Sequence, residues 1–127
     1  EIRADPNQLQ QVFLNLIINA QQAMCETDRE NRLLITTEPA YRTGGAGTDK
    51  DRVVVRKFTD NGPGISEANM NSIFDPFFTT KPKGKGTGLG LSVSIGIIRE
   101  HAGLIYVRNN DDNGTTFHIE IPASDAD

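Results

Sequence analysis

The sequence predicts a two-layer α/β sandwich, in which helices cover one face of a mixed, mainly antiparallel sheet. Apolar residues recur at three- and four-residue spacing over residues 5–24 and again over residues 91–102, as in amphipathic helices. Four segments rich in β-branched residues are typical of strands: residues 33–38, 52–58, 104–108 and 115–121. Strands that follow each other directly along the chain favour hairpins, which are antiparallel.

Composition limits the class of protein. The 127 residues, 36% hydrophobic and 24% charged, suffice for one domain. A net charge of −4 argues against nucleic-acid binding, which usually requires clustered Lys and Arg. The single Cys and two His leave no disulfide framework or zinc site and favour a reducing cytoplasm. No run approaches the roughly 18 apolar residues of a membrane span, so this segment is not expected to insert into a membrane.

The first helix has clear start signals and one buried face. Asp5 is a good N-cap, Pro6 suits the first helical position, and Gln8 stands where a capping box has its polar partner. A continuous apolar stripe then runs to about residue 24. Its members are Leu9, Val12, Phe13, Leu16, Ile17, Ala20 and Met24.

A second stripe on this helix consists of neutral amides. It comprises Gln8, Gln11, Asn15, Asn19 and Gln22, bounded by Leu14 and Ile18. A solvent-facing stripe would normally carry Lys and Glu, which are better helix formers than Asn. Amides therefore indicate a partly enclosed polar site, whose carbonyl oxygens suit a hard cation such as Mg²⁺. Ordinary surface amides are an equally compatible interpretation.

The second strand leads directly into a glycine motif, residues 60–64 (DNGPG). Gly62 and Gly64 permit positive φ and a close approach of a ligand to the backbone, while Pro63 stiffens the turn. Ionised Asp60 is purely an acceptor, suited to an exocyclic amine such as that of adenine. The alternative is a strand-to-helix turn in which Asp60 caps the helix.

A short helix capped by Ser66 is expected to reach Ile73 and to be followed by a Phe-rich segment, residues 73–78. The polar residues 79–85 come next and contain the only local basic cluster, Lys81, Lys83 and Lys85. This arrangement is typical of an apolar segment that anchors a mobile lid to the core. Packing of the Phe side chains into the core is compatible with that role.

A second glycine motif, residues 86–91 (GTGLGL), opens a helix that Gly103 is placed to end. Free N–H groups and the positive end of the helix dipole suit a polyphosphate there. The βαβ context of the dinucleotide fingerprint and the Walker lysine pattern are both missing. The glycine cluster at residues 43–48 precedes no helix and is interpreted as a flexible hairpin connection.

The order of these motifs strongly resembles the catalytic and ATP-binding domain of bacterial sensor histidine kinases. These belong to the Bergerat-fold superfamily shared with DNA gyrase and Hsp90. The resemblance runs from Asp5 to about Pro122 and is closest to kinases of the nitrogen-regulation type, through residues 19–23 (NAQQA) and 76–82 (PFFTTKP). The implied ligands are ATP and Mg²⁺.

The resemblance implies a role for each motif. Asn19 is similar to the Mg²⁺ ligand, Asp60 to the adenine-reading carboxylate, and Phe74 and Phe78 to the lid anchors. Lys81, Lys83 and Lys85 are alternatives for reaching the γ-phosphate. The implied catalytic residues are Asn15, Asn19 and Lys81. The implied nucleotide-binding residues are Asn19, Gln22, Asp60, Gly62, Gly64, Ile65, Phe74, Phe78, Lys85, Gly86, Thr87, Gly88, Leu89, Gly90 and Leu91.

One position separates subclasses of this superfamily. ATP-hydrolysing relatives carry a general-base Glu four residues before the Mg²⁺-binding Asn, where this chain has Asn15. An amide cannot accept a proton near neutral pH, whereas a neutral imidazole is already nucleophilic. The sequence therefore favours transfer of phosphate to a histidine over hydrolysis. An ATP-hydrolysing switch and a nucleotide-free interaction module are the alternatives.

The phosphoacceptor is expected outside this chain. Neither His101 nor His118 lies in the four-helix dimerisation context that the family uses, so a dimerisation domain of the same protein and, indirectly, a response regulator are the implied partners. In that family, a helix and a strand normally precede the helix that carries the Mg²⁺-binding Asn. Residues 1–4 of this chain leave room only for a remnant of a strand. Residues 1–127 are therefore expected to be a single-domain fragment of a larger kinase.

Arg56 interrupts the buried face of its strand, which requires a bulge or a snorkelling side chain.

Overall fold

The computed structural model describes residues 2–42, 44–76, 90–111 and 113–124. The elements in this part are α1 (Pro6–Met24), β1 (Leu33–Tyr41), a short 3₁₀ turn (Asp49–Asp51), β2 (Arg52–Asp60), α2 (Glu67–Met70), α3 (Gly90–Glu100), β3 (Leu104–Asn109) and β4 (Thr115–Pro122). The four strands form one sheet in the order β1-β2-β4-β3, and each neighbouring pair is antiparallel. The predicted two-layer α/β sandwich is confirmed.

The core lies between the sheet and the helices. Register is continuous along each strand pair, so alternate residues share a face of the sheet. The buried core side chains come from α1, α3, the turn after α2 and one sheet face. They are Leu9, Val12, Leu16, Phe58, Ile73, Ile97, Ile98, Ile105, Phe117, Ile119 and Ile121. The opposite sheet face carries residues such as Leu34, whose relative exposure is 61%.

The predicted N-cap of α1, Asp5, is confirmed, but the acceptor for its backbone N–H is His101 and not the predicted Gln8. The Asp5 carboxylate accepts hydrogen bonds from the backbone N–H groups of Asn7 (2.9 Å) and Gln8 (3.3 Å). The backbone N–H of Asp5 donates to Nε2 of His101 (3.1 Å), and Nδ1 of His101 lies 2.8 Å from the Ile97 carbonyl oxygen. Because Nε2 accepts, the ring proton belongs on Nδ1 and is donated to Ile97. His101 thus joins the start of α1 to the end of α3.

Helix α2 is shorter than predicted. Its Ser66 cap is confirmed, since the hydroxyl accepts from the backbone N–H of Asn69 (3.3 Å), but the helix ends at Met70 rather than Ile73. The next hydrogen bonds, from Ser72 to Asn69 and from Asp75 to Ser72, span three residues each. This tighter winding ends the α-helix, and Ile73 is buried in the core.

Arg56 is accommodated without a bulge, and its guanidinium packs over aromatic rings with Nε buried and without a hydrogen-bond partner, so the predicted snorkelling is not observed. The pairing of β2 with β1 and β4 is uninterrupted through this residue. The guanidinium carbon lies 4.7 Å from the ring centroid of Phe13 and 5.9 Å from that of Phe58. The side chain therefore covers two aromatic rings of the core, which favours a cation at this position.

The glycine-rich connection between β1 and β2 closes around one carboxylate. Buried Asp51 accepts hydrogen bonds from Nε of Arg42 (2.7 Å), the backbone N–H of Ala46 (2.7 Å) and that of Thr48 (3.3 Å). The bond from Arg42, and next that from Thr48, lowers the pKa of Asp51 to about 2. The predicted hairpin is confirmed, but its loop has a specific hydrogen-bonded conformation instead of being an unstructured linker.

The end of α3 differs in detail from the prediction. The left-handed residue is Ala102, with φ of 58°, and not Gly103. Ala102 donates its N–H to Arg99 (3.0 Å) and Gly103 donates to Ile98 (2.9 Å), which is the Schellman pattern. Gly103 is required for another reason, because a Cβ there would overlap the backbone oxygen of Glu120.

Replacing Ala102 by glycine is expected to stabilise the fold by about 0.5–1 kcal/mol, because glycine removes the cost of the left-handed conformation and loses part of that gain to unfolded-state entropy. Urea denaturation measures the change. Gly103→Ala is the opposite control and should destabilise the chain. An Ala102→Gly variant no more stable than the parent would contradict the prediction.

Two further features concern the edges of the fold. Ile2 forms an isolated antiparallel bridge with Ala123, which agrees with the expected strand remnant. In the described ranges, no helix has the length and apolar character needed to cross a lipid bilayer.

Candidate functional site

Helix α1 is approached at two points by Gly62 of the first glycine motif and by Gly90, the described glycine of the second motif. A Cβ built on Gly62 would lie 3.3 Å from the backbone carbon of Ala23, and one on Gly90 would lie 3.9 Å from Asn15. Because an α-helix rises 1.5 Å per residue, positions 15 and 23 are about 12 Å apart. Asn19 is half-buried and lies between them. Gly62, Asn19 and Gly90 therefore lie in sequence along α1.

Asp60 ends β2 as a buried carboxyl group, with only 4% of the residue exposed. Its Oδ1 accepts a hydrogen bond from the backbone N–H of Gly62 (2.9 Å), and the backbone N–H of Thr115 also donates to the carboxylate. Burial raises the pKa of Asp60, and the two N–H donors partly oppose that shift. Asp60 does not cap α2, since Ser66 has that role. The carboxylate is thus a preorganised acceptor at a turn.

The two glycines of this turn serve different purposes. Gly64 has φ of +83°, a conformation that favours glycine, as predicted. Gly62 does not have positive φ and lies in close contact with the end of α1, where even a Cβ would crowd Ala23. The small size of Gly62 therefore allows the turn to approach the helix.

Asn15 connects the amide stripe to the start of α3. Its Nδ2 donates to the carbonyl oxygen of Gly90 (3.2 Å) and to Oγ of Ser94 (3.3 Å). Ser94 is fully buried, and its hydroxyl donates to the same Gly90 oxygen (2.8 Å). A carboxylate at position 15 could not donate these bonds. The amide therefore holds the first turn of α3 against α1.

The amide stripe is enclosed over only part of its length. Gln8, Asn15 and Asn19 are half-buried, whereas Gln11 and Gln22 are exposed, as are the flanking Leu14 (54%) and Ile18 (41%). In the part of the chain that the structure describes, no cluster of three or more His, Cys, Asp or Glu side chains could hold a metal ion. A cation bound beside α1 would therefore rely on amide oxygens and on oxygens of the ligand and water.

Three other residues assigned to nucleotide binding pack partly against the core. These are Ile65, Phe74 and Leu91, which are half-buried on the core cluster. The Phe74 ring meets the Phe117 ring edge to face, with centroids 6.4 Å apart. This is the packing expected of an anchor, and it leaves their contact with a nucleotide as a prediction.

The remaining predicted positions lie outside the described residues. They are Phe77, Phe78, Lys81, Lys83, Lys85, Gly86, Thr87, Gly88 and Leu89. Gln22 is described and lies exposed on α1, one turn beyond Ile18.

Sequence reasoning missed the residues that hold the Asp60 turn from outside. Both the N–H and the carbonyl of Ile65 are hydrogen-bonded by the Asn109 side chain. Asn110 donates to the backbone oxygen of Asp60 (3.3 Å), and Arg29 donates to that of Gly62 (2.9 Å). The two asparagines lie between the strand-like segments 104–108 and 115–121, where the sequence indicates only a hairpin turn, and no local pattern distinguishes that use from contact with a distant turn.

Both histidines make specific contacts with neighbouring elements of the fold. His101 links the two long helices, as described above. His118 is half-buried and stacks on Tyr106 with ring centroids 4.5 Å apart. Burial, and then the charges of Lys57 and Arg108, lower the pKa of His118. His118 therefore favours its neutral form within the sheet face.

Comparison with known proteins identifies relatives across nearly the whole chain. Residues 4–125 match the family described as histidine kinase-, DNA gyrase B- and HSP90-like ATPase. Sensor histidine kinase ZraS of Escherichia coli (strain K12) is 39% identical over 124 residues, and sensory histidine kinase/phosphatase NtrB of Rhizobium leguminosarum bv. phaseoli is 39% identical over 126. The solved catalytic domain of histidine kinase ThkA, in a nucleotide-free form, superposes with a TM-score of 0.75 at 36% identity.

The alignments include nearly all of this chain but different shares of each relative. The alignments include 98% of this chain for ZraS, 97% for NtrB and 95% for ThkA. They include 23% of ZraS and 32% of NtrB, but 70% of the ThkA domain. The chain thus spans less than a third of the length of these two curated relatives.

Proposed function

Because the chain belongs to the family of histidine kinase-, DNA gyrase B- and HSP90-like ATPases, as a histidine kinase catalytic domain, we propose that it binds ATP with Mg²⁺ and transfers the γ-phosphoryl group to a histidine in two-component signalling. The observation that supports the proposal most is the approach of Gly62 and Gly90 to two points along α1, with Asn15 rather than a base between α1 and α3. Such an arrangement positions a nucleotide without activating water.

Asp60 marks the adenine end of the proposed site. Its buried carboxylate would accept a hydrogen bond from the exocyclic amine, and the buried surroundings strengthen such a bond. Gly62 and Gly64 would give the base room beside the backbone. Ile65 and Phe74, already half-buried on the core, would present their remaining surface to the ring.

The start of α3 marks the phosphate end. The N–H groups of its first turn and the helix dipole favour negative charge, and Asn15 holds that turn in place. Asn19 would supply an amide oxygen to Mg²⁺, which when bound neutralises charge on the phosphoryl oxygens. Gln22, Leu91 and residues 86–90 would line the phosphates, with Lys81, Lys83 or Lys85 near the γ-phosphate.

The catalytic contribution proposed for this chain is to position ATP for attack by a histidine. A neutral imidazole attacks phosphorus without first losing a proton to the enzyme, so no general base is needed beside it. Asn15 donates to Gly90 and Ser94 and cannot accept a proton near neutral pH. Hydrolysis of ATP by this domain alone is therefore disfavoured.

The histidine acceptor is proposed to lie on a dimerisation domain of the same protein. The structural surroundings of His101 and His118, and the short share of each full-length relative that the chain spans, support this. The 127 residues would then be the catalytic domain of a longer, ATP-using cytoplasmic kinase with a response regulator as its eventual phosphate recipient.

Calorimetric titration tests nucleotide binding directly. We expect ADP and a non-hydrolysable ATP analogue to bind, and the analogue to bind more tightly with Mg²⁺ than without it. Failure of both nucleotides to bind a folded chain would overturn the proposal and favour a nucleotide-free interaction module.

Binding should also depend on pH through Asp60. Because burial raises the pKa of its carboxyl group above 3.8, acidification should neutralise the adenine acceptor at a higher pH than for an exposed Asp. Because the pKa of Asp60 is raised on folding, its contribution to stability is fully present below its unfolded pKa and is lost as the pH rises through its folded pKa, so protonation of Asp60 does not itself destabilise the fold. Adenosine, which has no titrating phosphate, should bind more weakly as the pH is lowered, and this loss should begin at a higher pH than the titration of an exposed Asp would give. An affinity that stays constant while the fold persists would contradict this.

A further inference from the structure

We propose that Asn109, at the end of β3, is a positioning residue that fixes the adenine-reading turn and thereby sets nucleotide affinity. The inference rests on the proposed function, because it assumes that Asp60 binds the base. It adds the β3–β4 hairpin to the site as the element that determines where the turn lies.

The Asn109 side chain acts on Ile65 as a neighbouring strand would. Its Oδ1 accepts the backbone N–H of Ile65 (2.8 Å), and its Nδ2 donates to the Ile65 carbonyl oxygen (2.7 Å). The two bonds fix both the position and the orientation of this peptide segment. The turn and the amide are in close contact, since a Cβ on Gly64 would lie 3.1 Å from Oδ1 of Asn109.

The next residue holds the other end of the same turn. Asn110 donates from Nδ2 to the backbone oxygen of Asp60 (3.3 Å). Its Oδ1 accepts from Thr116 (2.6 Å), whose hydroxyl also lies 3.1 Å from that of Thr59. Two adjacent asparagines therefore hold the first and last residues of the 60–65 segment.

The hairpin also lies directly against the backbone of Asp60. Gly114 has φ of +95°, and a Cβ there would overlap the Asp60 carbonyl oxygen. Asn110 donates its backbone N–H to Gly114 (3.0 Å), which closes the hairpin loop. The contact places Asn109 and Asn110 at a fixed distance from the turn.

The two ends of the turn differ in what else holds them. Asp60 is part of β2 and is paired with Leu33, so its position is fixed by the sheet. Ile65 lies between β2 and α2, outside any helix or strand. Asn109 is therefore the residue that gives the Ile65 end strand-like constraint.

Loss of the two hydrogen bonds between Asn109 and Ile65 should weaken nucleotide binding more than it lowers the stability of the fold. Asn109 is exposed, so water can replace its hydrogen bonds when the side chain changes. Water does not hold the turn in one place, and a less ordered turn must be ordered when the nucleotide binds. Asp at this position keeps the acceptor for Ile65 N–H but loses the donor and places negative charge beside the Ile65 carbonyl.

The test compares Asn109→Asp with the wild type and with Asp111→Asn, an exposed substitution on the same hairpin. We expect Asn109→Asp to weaken ADP binding about tenfold and to reduce the preference for ADP over GDP, with a melting temperature within a few degrees of wild type. Asn109→Ser, which keeps part of the polar contact, should fall between. Asp111→Asn should bind as the wild type does.

In the parent kinase, the same Asn109→Asp change should raise the KM for ATP by the factor seen for ADP and leave kcat unchanged. An Asn109→Asp chain that binds ADP as tightly and as selectively as wild type would overturn the inference alone. A change in affinity without any change in base preference would show a merely structural role and would also overturn it. If the folded wild type binds no ADP, the proposed function itself fails.

Discussion

Replacing Asp60 by asparagine is expected to weaken ADP binding roughly 10- to 100-fold while the chain remains folded. The substitution keeps the size of the side chain and an oxygen that can accept from the Gly62 N–H. It removes the negative charge, and a hydrogen bond to a charged group contributes about 1.5–3 kcal/mol. Calorimetric titration with ADP, together with thermal denaturation, measures both effects.

Asp60→Ala should have the larger effect on both readouts. It leaves the buried N–H groups of Gly62 and Thr115 without their acceptor, which costs about 1–3 kcal/mol of stability for each unsatisfied group. Asp28→Asn, an exposed change of the same charge, is the matched control and should bind ADP normally. Wild-type affinity in Asp60→Asn would show that the adenine assignment is wrong.

Replacing Asn19 by alanine is expected to abolish the Mg²⁺-dependent part of ATP-analogue binding and to reduce phosphotransfer roughly 100-fold. Asn19 is the half-buried amide between the two glycine motifs, and alanine has no oxygen to offer a cation. ADP binding without Mg²⁺ should change little, because Asp60 and the Gly62 contact are untouched. The measurement is a pair of titrations with and without the ion.

Asn19→Asp distinguishes a cation ligand from a hydrogen-bonding amide. A carboxylate is a better Mg²⁺ ligand than an amide, so this variant should retain the Mg²⁺-dependent component that Asn19→Ala loses. Gln21→Ala, an exposed change on the same helix, should behave as the wild type. Equal Mg²⁺ dependence in Asn19→Ala and the wild type would exclude Asn19 as a ligand.

The elements that follow from local patterns were predictable from the sequence. The start of α1 at Pro6 was signalled by the Asp5 cap, and the strands by β-branched runs. Each of these depends on spacing or on residues adjacent in the chain.

The features that sequence reasoning missed depend on tertiary contacts. Ala102, and not Gly103, adopts the left-handed conformation, and Gly103 lies against the backbone of Glu120, which is distant along the chain. Asn109 and Arg29 are far along the chain from the turn that they hold. Asn in a hairpin loop has a sufficient local explanation, so its second role shows only in the folded chain.

The most direct test of the account is the fate of the γ-phosphate of labelled ATP, with Mg²⁺ present and with or without the histidine-bearing domain of the parent kinase. We expect label on histidine, recognised as acid-labile and base-stable phosphate, when that domain is present. We expect almost no free phosphate from the 127-residue chain alone, because Asn15 is not a base. Steady phosphate release by the chain alone, with no transfer to histidine, would contradict the account and establish an ATP-hydrolysing switch.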